Sequence, residues 1–247
     1  MTAAGPVIRR LSAFATLTPE TLRILDGLGP LQAFAAGTEV VADEDELKPT
    51  FLISGWAARV RWLADGRRQI VSLVLPGEGL GVCERPEPLA LCPVIAVTGI
   101  TLAHADAVKR LAFESDGPNG SDLRIALKLS AALDEAGLID QVVRLGRQTA
   151  LERISHLFLE LRFRLSLTDM VRDDAFDLPL TQEQLADVLG LSTVHVNRTL
   201  QQLRTEEAVE FRNGRLRLLR PALLEGLTDY VAPVVSRWTP AIAPRRT

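Results

Sequence analysis

The chain has little cysteine, little histidine and no long apolar run, and each shortage removes a class of function. Its 247 residues include two cysteines, Cys83 and Cys92, with eight residues between them. That spacing makes neither a disulfide framework nor a zinc ribbon, and it fits a reducing compartment. The three histidines, His104, His156 and His195, sit in no recognisable acid–base or nucleophile constellation, so an enzyme is not expected. Residues 1–10 lack the apolar centre of a secretion signal, and no stretch approaches membrane-spanning length. A cytoplasmic protein with no membrane partner is the expectation. Only Lys48, Lys109 and Lys128 are lysines among 28 basic residues, and the formal net charge is -3. The chain is not basic as a whole, so any nucleic-acid contact needs a local positive field.

What is present is an ordinary globular composition, 47% hydrophobic and 24% charged, able to bury a real core. The length lies between one domain and two. Thr18-Pro19-Glu20 supplies a cap and a first-turn proline for a short helix within 22–31 that stops near 27–30. Beyond it come short apolar runs broken by turn residues: 38–42, 50–53, 57–63, 69–75, 94–97 and 101–105. Asp65-Gly66 between two of them is a hairpin signal. Many short strands with regular turns predict a small antiparallel barrel or sandwich. The acidic run 43–46 reads as a solvated loop, because calcium loops need a ligand spacing that is absent.

From Ser121 the pattern turns helical. Ile125, Leu129, Ala132, Ala136, Ile139 and Val143 recur at alternating spacings of four and three, an a/d seam extended by Gly146. Leu123, Leu127, Leu133 and Leu138 lie off this seam and are expected to pack on the strands. A helix with two apolar faces can hold a second copy on one side and its own domain on the other. The alternative is one buried helix in a monomer, whose core Ala and Gly would underfill. A hinge is expected at 146–148, an amphipathic helix over 149–167, and a polar loop over 168–177.

Residues 180–203 then read as two short helices joined by a tight turn. Thr181 and Gln184 form a capping box, Gly190 stops the first helix, and Ser192 caps the second. Val196, Leu200 and Leu203 face the first helix. Thr193, His195, Asn197, Arg198, Gln201 and Gln202 are left facing outward, a donor-rich set suited to base edges and phosphates. Such pairs also occur as plain packing units. Behind this one, however, Asn213-Gly214 joins two short strands into a hairpin, and residues 209–220 carry four arginines against one glutamate. Arg212 and Arg215 are placed for backbone phosphates. A last short helix begins at Pro221, and a proline-rich tail over 233–247 is expected to lack fixed structure.

This order of parts resembles the Crp/Fnr family of bacterial transcription regulators over residues 14–230. The specific pieces are 180–203 with its hairpin, and Leu63-Ala64-Asp65-Gly66-Arg67-Arg68-Gln69-Ile70 leading into Leu75-Pro76-Gly77-Glu78. The resemblance implies an α+β architecture. Residues 1–120 would form a cyclic-nucleotide-binding-like jelly-roll barrel and 121–147 a dimerisation helix. Residues 148–232 would form a winged helix-turn-helix for double-stranded DNA. It implies a homodimer, a small-molecule effector and RNA polymerase as partners. Thr181 joins the DNA-facing set, and Arg198 matches a family arginine that contacts the operator. Val194 stands where several members place a glutamate, so the operator sequence is expected to differ. The effector pocket would involve Glu78, Val82 and Arg85. The family's Gly-Glu-Leu segment aligns with Gly81-Val82-Cys83, so Val82 replaces the ribose-binding glutamate. Its phosphate-binding Arg-Ser/Thr-Ala segment has no counterpart near 91–94, and Arg85 is a poor substitute. Cyclic-nucleotide binding is therefore not expected. No resident cofactor is expected either: the cluster-binding subgroup's N-terminal cysteines are absent, and a lone Cys83 or His104 on a strand is a weak basis for haem. The competing reading is a ligand-binding or protein-interaction module whose winged helix does not dock on DNA, which the net charge favours.

Overall fold

A computed structural model describes residues 3–115 and 120–234. The tail expected to lack structure falls outside them from residue 235 onward. Two short helices, α1 (Gly5–Ser12) and α2 (Pro19–Asp26), open the chain. The Thr18 hydroxyl accepts from the Thr21 amide, as the cap predicts, and α2 ends at Asp26 with Gly27 as its C-cap, at the near edge of the expected stop. Residues 31–34 instead become strand β1 (Leu31–Phe34).

The strands β2 (Glu39–Val41), β3 (Thr50–Ser54), β4 (Ala57–Trp62), β5 (Arg68–Val74), β6 (Gly79–Leu80), β7 (Val94–Ala96) and β8 (Ile100–His104) follow. They form two four-stranded antiparallel sheets, β1-β8-β3-β6 and β2-β7-β4-β5, rather than a closed barrel. Leu52, Val74, Leu80, Val94 and Leu102 fill the space between the sheets. A bulge opposite Arg59/Val60 inserts one extra residue into β5. Ile70 and Leu73 thereby face the same side as Ala58 and Val60, the outer side of the second sheet. That outer face packs into one core with the C-terminal helices.

After α3 (Asp106–Lys109) and a π-helical turn comes α4 (Ser121–Arg147), with the start and end that periodicity predicts. Leu123 and Leu127 are buried against α1 and Phe51 of β3, Leu133 is buried further along the helix, and Leu138 is 44% exposed and does not pack there. Along the predicted seam Ile125, Leu129, Ala132 and Ala136 are half-buried, while Ile139 and Val143 are exposed beside Val142. The chain turns at Gln148 into α5 (Ala150–Ser166), whose Thr149–Glu152 capping box is complete. Residues 168–177 are not all loop: Ala175, Phe176 and Asp177 form β9 (Ala175–Asp177), held by the buried Phe176. The rest is α6 (Gln182–Leu189), α7 (Thr193–Thr205), β10 (Val209–Arg212), β11 (Arg215–Leu218) and α8 (Pro221–Thr228). Among the described residues no helix is long and apolar enough to cross a membrane.

A buried ionic network ties α1, the turn after β5, α4 and α5 together. Glu78 forms an ion pair with Arg10 at 3.2 Å and accepts hydrogen bonds from Arg164 at 2.8 Å and from the Leu75 amide at 3.0 Å. Arg164 also pairs with Glu160 at 2.8 Å, and Arg144 closes on Glu160 from the other side. Asp134 meets Arg10 at 3.1 Å. Three arginines thus balance three carboxylates. Burial alone would raise the Glu78 and Glu160 carboxyls, but their arginine partners outweigh it and hold both below the usual carboxylate range.

Candidate nucleic-acid interface and its sensor cavity

The helix pair forms as its local chemistry dictates. The Thr181 hydroxyl accepts from the Gln184 amide at 3.1 Å, and the Gln184 side chain accepts from the Thr181 amide at 2.8 Å. Gly190 stops α6 at φ +59, a left-handed backbone that a Cβ would strain. The Ser192 hydroxyl caps α7 by accepting from the His195 amide. Val196, Leu200 and Leu203 are buried against α6 and the domain core.

The opposite face of α7 carries the predicted DNA set. Thr193, His195, Asn197, Arg198, Gln201 and Gln202 are all exposed, and Val194 stands among them 73% exposed. Thr181 is exposed at the neighbouring helix start, one turn of chain away. No hydrogen bond or ion pair engages the Arg198 side chain among the described residues. Asn197 donates to Gln182 at 2.6 Å and Gln202 to Glu206 at 2.9 Å, so these amides are oriented by neighbours. Gln182 was not legible as part of this surface from sequence.

The hairpin is a wing of three strands, β10-β11-β9, not two. Asn213 and Gly214 both take positive φ, +51 and +75, as a type I′ turn requires. Arg212, Arg215, Arg217 and Arg220 are exposed. Arg212 lies 3.4 Å from Glu210 and Arg215 3.3 Å from Asp177, solvated pairs that hold the guanidinium groups only weakly.

The last four carbonyls of a helix lack intrahelical partners, and α6 satisfies all of its own without water. Ala186 O accepts from the Leu191 amide at 3.1 Å. Asp187 O accepts from Gln69 on β5 at 2.6 Å. Val188 O accepts from Gln69 at 3.2 Å and from Gln141 on α4 at 2.7 Å. Leu189 O accepts from Arg153 on α5 at 2.9 Å. Arg68 adds a forked pair to the Asp187 carboxylate, its Nε lying 2.7 Å away. The end of the first motif helix is therefore held by the β4–β5 hairpin, the long helix and α5 together. Sequence reasoning missed these residues. The signal was there: Gln69 stands inside the Arg-Arg-Gln-Ile segment, and Gln141 is polar on the buried side of α4.

A cavity of about 450 Å³ lies between the second sheet, the 81–92 loop and α4. It brings Glu78, Val82 and Arg85 together with Cys83 and Cys92. Glu78 is not free to serve a ligand, because both its oxygens are taken by arginines, so its place is in the scaffold. Val82 packs partly against the Phe51 core, and Arg85 is exposed at the rim.

Comparison with known proteins agrees with this layout. Residues 152–227 match the Crp-like helix-turn-helix domain. The nitrogen fixation regulation protein FixK of Bradyrhizobium diazoefficiens is 29% identical over 228 residues, 89% of this chain and 91% of its own. The transcriptional activator protein FnrL of Cereibacter sphaeroides is 29% identical over 214 residues, covering 84% of each chain. The solved structure of FixK2 from Bradyrhizobium japonicum superposes with a TM-score of 0.67 at 23% identity, over 82% of this chain and 98% of that one. With the helix-turn-helix, the wing and the two upstream sheets all in their expected order, the chain is similar along most of its length to transcription regulators of the Crp/Fnr type, and its residues 152–227 carry the Crp-like helix-turn-helix domain.

Proposed function

We propose that the protein acts in the cytoplasm as a homodimeric transcription regulator that reads an inverted repeat with α7 and grips the flanking backbone with its wing. The exposed α7 face carries this reading, with Arg198 unengaged at its centre. A forked guanidinium suits guanine O6 and N7, Asn197 suits adenine, and Val194 offers an apolar contact to a thymine methyl. Arg212, Arg215, Arg217 and Arg220 supply the local positive field that the net charge of -3 denies the chain as a whole.

Dimerisation through α4 supplies the second half-site. Ile139, Val142 and Val143 form an exposed apolar stripe (Val142 is 72% exposed) that a second α4 would cover. Half-sites roughly 34 Å apart follow from docking two such helices in successive major-groove turns. The cavity is the effector site in this reading, and RNA polymerase the partner reached once the dimer is on DNA.

Selection of bound fragments from genomic DNA, followed by gel shift at several salt concentrations, tests the reading. Arg198→Ala should cost about 1–3 kcal/mol of operator binding and relax specificity at one position. No retention of any fragment at micromolar protein would instead favour the interaction module. Unchanged discrimination in Arg198→Ala would remove that residue from the readout.

A further inference from the structure

The cavity beside α4 contains a cation that its own walls leave unbalanced. Arg59 points from β4 into the space between the sheets, with Val94 and Ser72 as its cross-strand neighbours. Its Nη1 donates to the Ser72 hydroxyl at 3.2 Å, and the side chain is half-buried. Among the described residues no carboxylate oxygen lies within 4.0 Å of this guanidinium. The carboxylates nearest the cavity are already engaged: Glu78 by Arg10 and Arg164, Glu160 by Arg144 and Arg164, Asp134 by Arg10. Only Arg59 and the rim residues Arg85 and Glu135 remain outside that balanced set, and the last two are solvated.

An unpaired charge in an apolar enclosure is costly, so the arrangement calls for an anion. The rest of the lining fixes what else the anion must be. Leu47, Val71, Leu89, Leu91, Val94 and Leu133 present an aliphatic wall, and the volume of about 450 Å³ suits a small organic molecule. One guanidinium with one hydroxyl matches a monovalent carboxylate in forked geometry, and is too few donors for a phosphate diester flanked by a sugar. Resting on the reading of this cavity as the effector site, we propose that its ligand is an apolar monocarboxylate, with Arg59 as the counter-ion and Ser72 as the residue that orients it.

The test uses the full-length protein and two pairs of probes. The fluorescent anion 8-anilino-1-naphthalenesulfonate and its uncharged relative N-phenyl-1-naphthylamine report occupancy. Decanoate and decanol then compete. The expected result is saturable dye binding, displacement by decanoate roughly 10- to 100-fold more effective than by decanol, and loss of that preference in Arg59→Met. Val82→Trp, which fills the cavity, should remove binding of both dyes. Dye binding with equal competition by decanoate and decanol overturns the anion inference while leaving the cavity as a site for neutral apolar molecules. No saturable binding of either dye overturns the effector-site reading itself. The wild-type comparison of decanoate with decanol decides the matter even if Arg59→Met fails to fold.

Discussion

Replacing Arg164 by methionine keeps most of the side-chain volume and removes the centre of the buried ionic network. Arg164 bonds Glu78 through Nη2 at 2.8 Å and Nε at 3.1 Å, Glu160 at 2.8 Å, and the Leu73 carbonyl at 2.7 Å. The variant leaves two buried carboxylates with Arg10 and Arg144 alone, so the network acquires a net negative charge. Breaking a buried pair from one side costs about 3–5 kcal/mol, because the remaining charge stays desolvated. At roughly 2–4 °C per kcal/mol for a chain of this size, the melting temperature should fall by about 6–20 °C. The pH dependence separates this cause from lost packing. In the wild type Glu78 and Glu160 have depressed folded-state values, so their contribution is complete above the ordinary value of 4.5 and is lost as pH falls through the depressed ones. The variant lacks that contribution, so the gap between the two proteins should narrow on acidification. Urea unfolding followed by circular dichroism at pH 7 and near pH 4 measures both quantities. A loss under about 1 kcal/mol, or a gap that stays constant with pH, would refute the network as the source of stability.

Three further outcomes follow from the same geometry. Wild-type stability should decline as pH drops below about 4.5, and Glu78→Gln should flatten that decline in a pH series of thermal melts. Ile139→Glu places a charge in the α4 stripe, and should weaken self-association by on the order of 2 kcal/mol in sedimentation equilibrium with the circular dichroism spectrum unchanged. Arg68→Ala and Asp187→Ala should show a coupling of about 0.5–3 kcal/mol in a double-mutant cycle of thermal stability; additive losses would mean that the hairpin does not hold α6 through this pair.

Local chemistry was legible in the sequence, and pairing between distant segments was not. The capping box at Thr181, the stop at Gly190 and the Asn213-Gly214 turn each depend on residues within four positions, and each forms as expected. The strands β1 and β6 went unrecognised because Leu31–Phe34 lies mostly exposed and Gly79–Leu80 is two residues long, so neither shows an alternating pattern. The third wing strand was hidden for the same reason, being three residues long with only Ala175 and Phe176 apolar. Glu78 was picked out as a pocket residue on family grounds. Its actual partners, Arg10 and Arg164, are 68 and 86 positions away, beyond any local pattern.

The same separation in sequence explains why one helix can serve several tasks. α4 buries Leu123 and Leu127 against the N-terminal core, lines the cavity with Leu133, Asp134 and Gln141, and exposes Ile139 and Val143 one face away. Gln141 spends its amide on the Val188 carbonyl of α6, so a cavity-wall residue also fixes the end of the first motif helix. A helix of 27 residues is stiff along its axis, and these groups cannot move independently. Any ligand that changed where the Gln141 side chain sits would have to supply Val188 O with another partner or leave it to Gln69 alone, at 3.2 Å. A hydrogen bond of that kind is worth about 1 kcal/mol net, enough for roughly a fivefold change in any equilibrium that breaks it. Coupling of this size needs no flexible linker between cavity and DNA surface, because Gln141 of α4 lines the one and holds the end of α6, against which α7 packs.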